Sequence, residues 1–350
     1  SPLEELVYRS RLLGADRALA NWGGGNTSAK GTSLDHTGRE VATLWVKGSG
    51  TDLATITPAG FAALRLDEVL LLREREAMED AEMVEYLRRC ALFPDQPRPS
   101  IETLLHAFIP AAHVDHTHPD AVIALTSCPA ARRLAEEAFG KEAVWLDYQR
   151  PGFAMSKRIA ELLEGEPRAR AVLLERHGLV TWGRTSEEAY RSTLEMVSRA
   201  AEALARAGKR RPLLGGQKVR ATDEEEARSL LRAALPHLRG ALLADSPSGL
   251  VLEVDRSPES LAFVSSVAGP QVSQEGAPCP DHLITTKHRP LAVDFDPDRD
   301  SPGDLAERLR RGVEEYAAWY RDYCRRNLTE ESRAYPIDPA GPRVVLVPGV

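Results

Sequence analysis

Residues 98–121 read RPSIETLLHAFIPAAHVDHTHPDA, the most informative stretch in the chain. Pro94, Pro97 and Pro99 mark a loop, after which Ser100 can cap a helix running through Phe108. Ala111 to His116 reads as a strand. Strand side chains alternate between faces, so His116 and His118 project to one side while Thr117 faces away. Two helices follow, over 119–125 and 129–139, each opened by a proline that the first turn tolerates.

Upstream, residues 3–20 carry apolar side chains at helical spacing, and the pattern breaks at Asn21-Trp22-Gly23-Gly24-Gly25-Asn26. Val41 to Val46 reads as a strand that enters a second glycine turn, Lys47-Gly48-Ser49-Gly50, and helical patterns fill 58–90. Downstream, the pattern predicts a strand over 143–146 and a helix over 156–163. Strands over 171–174 and 179–182 then flank His177-Gly178. An amphipathic helix over 185–208 is capped by Ser186 and ended by Gly208. Composition shifts at Arg211-Pro212-Leu213-Leu214-Gly215-Gly216, which divides the chain into domains 1–212 and 213–350. The second part predicts a helix over 222–238, a mixed strand-and-turn stretch over 241–296 and a helix over 303–326. The apolar run Arg343 to Val347 reads as a buried strand, and the natural chain is expected to continue beyond it.

The 350 residues are 43% hydrophobic and 28% charged, values of a globular protein rather than a disordered or fibrous one. The longest apolar runs fall far short of the ~20 residues that span a bilayer, and the start SPLEELVYRSR has no signal-peptide core. A net charge of −7 argues against nucleic acid as a partner, and the basic run Lys209-Arg210-Arg211 suits a solvated helix end. Cys90, Cys128, Cys279 and Cys324 are scattered without a CxxC pair, which excludes a disulfide framework or a zinc-thiolate site and points to the cytoplasm.

Three signals carry chemistry. His116 and His118 are pre-spaced to ligate one metal, and His177 between two strands offers a third imidazole. Three neutral imidazoles with an open position are the ligand set of a catalytic zinc. Taken alone, the pair equally suits two polar residues at a surface. The turns at Gly23–Ser28 and Lys47–Gly50 expose backbone N–H groups beside small polar side chains, as phosphate sites do, though each also suits a plain tight turn. Neither is a Walker loop or a dinucleotide fingerprint. Glu102, at a helix start, suits either a dipole partner or a carboxylate that moves a proton on carbon.

At these residues the chain resembles the class II aldolase/adducin family. Gly25-Asn26-Thr27-Ser28 and Gly48-Ser49-Gly50 match its phosphate turns. Ser100-Ile101-Glu102, with His106 one helical turn on, matches its Ser-x-Glu helix start. His116, His118 and His177-Gly178-Leu179 match its zinc ligands. The stretches VYRSRLLGADRALANWGGGNTS, WVKGSGTDLAT, RHGLVTWG and QEGAPCPDHLITTK are similar to the aldolase half of bifunctional rhamnulose-1-phosphate aldolase/short-chain dehydrogenases. The dehydrogenase domain of that branch is not in this sequence.

The resemblance implies an αβα sandwich on a mostly antiparallel sheet, in the α/β (α+β) class, with an additional C-terminal α/β lobe. It implies one Zn2+ per subunit on His116, His118 and His177, Glu102 as acid/base and Tyr148 at the aldehyde oxygen. Asn26, Thr27, Gly48, Ser49, Gly50 and Ser100 would surround a substrate phosphate. Ile101 stands where fuculose-type enzymes have a second serine, and Lys47 and Arg98 are nearby cations that could replace its contact. The implied reaction is retro-aldol cleavage of L-rhamnulose 1-phosphate to dihydroxyacetone phosphate and L-lactaldehyde, in a homo-oligomer, often a tetramer. Sugar-phosphate 4-epimerases, dehydratases and decarboxylases share the fold, as does the adducin head, an interaction module without the ligand histidines. Cys279-Pro280-Asp281-His282, with Lys287 downstream, is dense enough to border the active-site mouth or meet a following domain, but better suits a proline-rigid turn with a surface histidine.

Overall fold

A computed structural model describes residues 1–208, 213–244 and 249–350. The basic run at 209–211 and the Arg211-Pro212 part of the composition shift lie outside these described residues. The chain divides into two compact units, Ser1–Lys209 with Pro278–Asp281, and Arg210–Ala277 with His282–Val350.

The first unit runs α1 (Pro2–Ala15), β1 (Asn26–Leu34), β2 (Glu40–Lys47), β3 (Phe61–Arg65), α2 (Leu66–Leu70), α3 (Asp80–Arg89), α4 (Thr103–Phe108) and β4 (His113–Thr117). It continues through α5 (Asp120–Ser127), α6 (Ala131–Phe139), β5 (Ala143–Leu146), α7 (Phe153–Gly165), β6 (Ala171–Leu174), β7 (Gly178–Gly183) and α8 (Ser186–Gly208). The strands form one seven-stranded sheet in the order β3-β2-β1-β4-β7-β6-β5, antiparallel except for the β5–β6 pair.

Helices cover both faces of this sheet, because both faces are apolar. Ala171, Leu173 and Leu179 pack under α5, α6 and α8 with Val122, Leu134 and Met196. The alternate residues Val172, Leu174 and Val180 pack with Leu105, Met155 and Ile159 on the other side. The same division recurs at the far edge. Ala62 and Leu64 of β3 face Leu104 and Phe153, while Phe61 and Ala63 face Leu6 and Val7 of α1. The αβα sandwich on a mostly antiparallel sheet is thus present.

Several local expectations need correction. β1 carries no apolar alternation, and its first three residues, Asn26, Thr27 and Ser28, are buried in hydrogen-bond networks instead. The helical reading of 58–90 fails over Phe61–Arg65, a strand buried on both faces; helix proper returns only at Leu66–Leu70 and Asp80–Arg89. The helix expected from Ser100 begins at Thr103. The Ser100 hydroxyl accepts the Glu102 N–H within the preceding turn, at 3.2 Å. α8 is capped by Thr185, whose hydroxyl accepts the Glu188 N–H at 3.1 Å, rather than by Ser186.

The second unit is mainly helical, with α9 (Glu224–Leu243), α10 (Pro258–Val264), α11 (Gly269–Val272), α12 (Pro280–Thr286) and α13 (Pro302–Asn327). Pro280 and Asp281, at the start of α12, are grouped with the first unit. Leu230, Ala234 and Leu238 of α9 pack on Leu305, Leu309 and Val313 of α13. Among the described residues its strands are only β8 (Leu291–Ala292) and β9 (Val345–Leu346), paired in parallel. The strands expected over 241–296 and 343–347 therefore shrink to two residues each. A mostly apolar cavity of about 930 Å³ lies in this unit; Lys287 lines it, and none of the predicted metal, catalytic or phosphate residues does.

Candidate metal centre

The site is built where β4 runs between β1 and β7. His116 pairs with Asn26 of β1 and Val180 of β7, so the ligand strand is held from both sides. The approach of the glycine turn is tight. Gly25 has φ +67°, and a Cβ there would stand 2.6 Å from the His116 carbonyl oxygen. Only glycine combines that left-handed backbone with that contact. His177 closes the β6–β7 connection, where Arg176 also adopts a left-handed conformation (φ 52°).

His116, His118 and His177 come together as the spacing predicts. Their ring centroids lie 4.6 to 4.9 Å apart, and all three are buried. Second partners fix the orientation of two rings. His116 Nδ1 donates to the Leu179 carbonyl at 3.0 Å, and His118 Nδ1 donates to the Asp281 carboxylate. The two Nε2 atoms face each other at 2.9 Å, and because both Nδ1 atoms donate, a neutral ring carries its lone pair on Nε2. Glu102 Oε1 lies 3.3 Å from His116 Nε2 and 3.4 Å from His177 Nε2, and it is buried without a hydrogen-bond partner. Imidazole nitrogens and a carboxylate oxygen buried this close together are costly unless a cation, a proton or a metal ion, is shared among them. This donor set fits a divalent metal on three imidazoles, with Glu102 beside it.

Glu102 and His116 pull on each other. Burial raises the Glu102 carboxyl, but positive charge at the neighbouring imidazoles, His116 first, outweighs it and holds the group well below the usual carboxylate range. Burial lowers His116, but the Glu102 carboxylate outweighs it and raises the ring, so a cation at this point, a proton or a metal ion, is favoured. Burial pushes His177 down to about 3, so its ring is neutral and able to ligate at ordinary pH.

A polar relay holds Glu102 in place. Asn26 Nδ2 donates to Glu102 Oε2 at 2.7 Å and to Ser100 Oγ at 3.1 Å. The Asn26 oxygen accepts from His106 Nε2–H, and Ser28 donates to His106 Nδ1 at 2.8 Å. His106 is fully buried, which pushes it down to about 3 and keeps it neutral.

The remaining predicted residues divide. Ser49 and Gly48 lie beside Arg98, whose carbonyl accepts the Ser49 N–H at 2.8 Å and whose guanidinium donates to Ser49 Oγ at 3.2 Å. Gly50 has a left-handed backbone at φ +83°. Lys47 is buried and donates to the Gly23 carbonyl at 3.3 Å; burial lowers its ammonium, opposed by Asp52, Glu102 and Asp281. Thr27 faces away from Asn26, and its hydroxyl is engaged by Ser10 at 2.6 Å. Tyr148 is 56% exposed, and its backbone N–H rather than its phenol binds Glu175.

Sequence reasoning named His106 only as part of a motif, and the weight of Asp281 escaped it. It also missed a buried ion pair behind the site. Arg9 Nε donates to Asp115 Oδ1 at 2.8 Å, and its other nitrogens reach His113, Ser186 and the Ser28 carbonyl.

Comparison with known proteins agrees with this geometry. Residues 4–204 match the family described as Class II Aldolase and Adducin N-terminal domain, and residues 229–350 match Aldolase class II, second domain. The chain is similar to the Uncharacterized oxidoreductase YuxG of Bacillus subtilis (strain 168), 43% identical over 348 residues. That match covers 99% of this chain and 50% of the relative, so the chain spans about half the length of the curated relative it matches. Among solved structures it is similar to the N-terminal Class II Aldolase domain of a conserved protein from Thermoplasma acidophilum. That structure is 39% identical with a TM-score of 0.55, covering 58% of this chain and 94% of the other.

Proposed function

We propose, for a chain that belongs to the class II aldolase and adducin family, a metal-dependent retro-aldol lyase acting on a ketose 1-phosphate. The substrate is L-rhamnulose 1-phosphate, and the products are dihydroxyacetone phosphate and L-lactaldehyde. The observation that supports this best is the convergence of three buried Nε2 atoms with an unpartnered Glu102 oxygen 3.3 to 3.4 Å from two of them.

Zn2+ held by His116, His118 and His177, one per subunit, supplies Lewis-acid stabilisation of the negative charge that develops when carbon–carbon bonds break beside a carbonyl. Glu102 handles the proton at C3. In condensation its ionised carboxylate removes that proton from dihydroxyacetone phosphate, and in cleavage the carboxyl returns it after the C3–C4 bond breaks. Its depressed pKa favours the ionised form that the condensation needs. Asn26 aims Glu102 through Oε2 and leaves Oε1 toward the substrate. Tyr148 hydrogen-bonds the C4 oxygen as it becomes the aldehyde, and the proton lost from the C4 hydroxyl is the one that the Glu102 carboxylate takes up and returns to C3.

Asn26, Thr27, Gly48, Ser49, Gly50 and Ser100 surround the phosphate, with Thr27 offering backbone rather than its engaged hydroxyl. Ile101 cannot donate a hydrogen bond, and Lys47 and Arg98 provide the positive charge instead. The relative of twice this length bears an oxidoreductase name, which supports continuation of the natural chain into a short-chain dehydrogenase domain. The protein works as a homo-oligomer, with a tetramer as the expected state, and in the cytoplasm; among the described residues no helix is long and apolar enough to cross a membrane.

The test is release of dihydroxyacetone phosphate from L-rhamnulose 1-phosphate, with L-fuculose 1-phosphate and L-ribulose 5-phosphate alongside. Release is expected to be fastest with rhamnulose phosphate and abolished by chelator. Glu102→Gln is expected to lose about 10²–10⁴-fold in kcat while retaining zinc. Zinc binding without cleavage of either ketose 1-phosphate rejects the lyase, and conversion of ribulose 5-phosphate at C4 replaces it with an epimerase.

A further inference from the structure

Of the three clustered imidazoles, His118 alone is oriented by a side chain, and that side chain lies 163 residues further along the chain. His116 uses a backbone carbonyl of the adjacent strand, and His177 Nδ1 has no hydrogen-bond partner. We propose that Asp281 is a positioning residue of the metal centre, holding His118 in the Nδ1–H form so that Nε2 faces the metal. The proposal rests on the metal reading given above and assigns a role to the Cys279–His282 cluster.

Two independent features carry it. The first is chemical. An ionised carboxylate only accepts, so His118 must donate from Nδ1, and its lone pair is left on Nε2, 2.9 Å from His116 Nε2. A carboxylate behind a ligating imidazole fixes its tautomer and ring plane and raises its basicity.

The second is steric and does not depend on the hydrogen bond. A Cβ on Gly24 would stand 2.1 Å from Asp281 Oδ2 and 2.9 Å from His118 Nδ1. The middle glycine of the Gly23–Gly25 cluster therefore clears the space in which Asp281 meets His118. The cluster, which the sequence offers as a phosphate turn or a plain tight turn, admits this carboxylate. Asp281 is grouped with the first unit through Pro278–Asp281, Cys279 beside it is buried, and the Lys47 ammonium is the neighbouring cation that offsets its charge.

The experiment measures Zn2+ and Co2+ affinity of the whole chain by competition with a chromophoric chelator, together with the visible ligand-field bands of the Co2+ form. Asp281→Asn keeps the shape but removes the charge. It is expected to bind both metals about 10–100-fold more weakly and to shift the cobalt bands. Its metal-free thermal midpoint should stay within a few degrees of the parent. If Asp281→Asn does not fold, Gly24→Ala provides the same test with the carboxylate intact but displaced. Its backbone suits alanine, and the same direction of change is expected. Unchanged affinity, within twofold, and unchanged cobalt bands in the folded variant overturn the proposal. A parent chain that binds neither metal overturns it together with the metal reading. A parent that binds zinc at least 10-fold more tightly than Asp281→Asn yet cleaves no ketose phosphate supports the proposal and ends the lyase reading alone.

Discussion

On one face of β4, Asp115 and His113 meet the donors of Arg9; on the other, His116 meets two more imidazoles and Glu102. Both faces bury ionisable groups deeply in the same sheet. On the Arg9 face the guanidinium, only 1% exposed, distributes its N–H groups over Asp115, His113, Ser186 and the Ser28 carbonyl. A cation there meets its counter-charge, although Asp115 Oδ2, like Glu102 Oε1, is buried without a hydrogen-bond partner. On the histidine face, three imidazoles and a carboxylate oxygen gather around one point with no Lys or Arg among them. Burial of charge is common to both faces, so depth alone does not mark a functional site. The convergence of several ligand-type atoms on one point does.

Stability measured in chelator distinguishes the two faces. The largest effect is expected for Arg9→Ala, which leaves Asp115 buried and uncompensated and costs about 3–5 kcal/mol in urea unfolding. A cost below about 1 kcal/mol would break the comparison. Next comes acid, through the relay behind Glu102. The folded pKa of His106, about 3, lies below its ordinary 6.5, so the unfolded chain binds more protons between these values. Stability therefore falls as pH drops from 6.5 toward 3, by about 1.4 kcal/mol per pH unit for this one group. In His106→Gln the slope should lose close to one proton, and an unchanged slope would show that His106 is already charged in the fold. The smallest effect is expected for His177→Gln, which abolishes stoichiometric zinc binding yet changes metal-free stability by no more than about 1 kcal/mol. A loss as large as that of Arg9→Ala would make the histidine face structural too.

The histidine cluster was legible because its signal is local. The His-x-His alternation and the His-Gly turn are written in runs of a few residues. Glu102 was legible only beside its serine and through resemblance. β3 was hidden for a physical reason. Phe61-Ala62-Ala63-Leu64 is apolar on both faces, and a short continuous apolar run does not distinguish strand from helix. β1 was hidden for the opposite reason, since Asn26, Thr27 and Ser28 are buried by hydrogen bonds rather than by apolar contact. Arg9–Asp115 and Asp281–His118 are long-range pairs, and nothing near either residue in sequence announces its partner.

The central position of β4 also decides when the site can exist during folding. β1–β2 and β2–β3 join strands that are neighbours in the chain, so they close short loops and can form early. β4 must find β1 across a long intervening segment and then await β7, which follows His177. On the ribosome the histidine pair is thus made well before the third imidazole, and Asp281 emerges later again. On the proposed metal reading, capture waits for His177, and a nascent chain stalled between His177 and Asp281 would carry all three imidazoles without the carboxylate that orients His118.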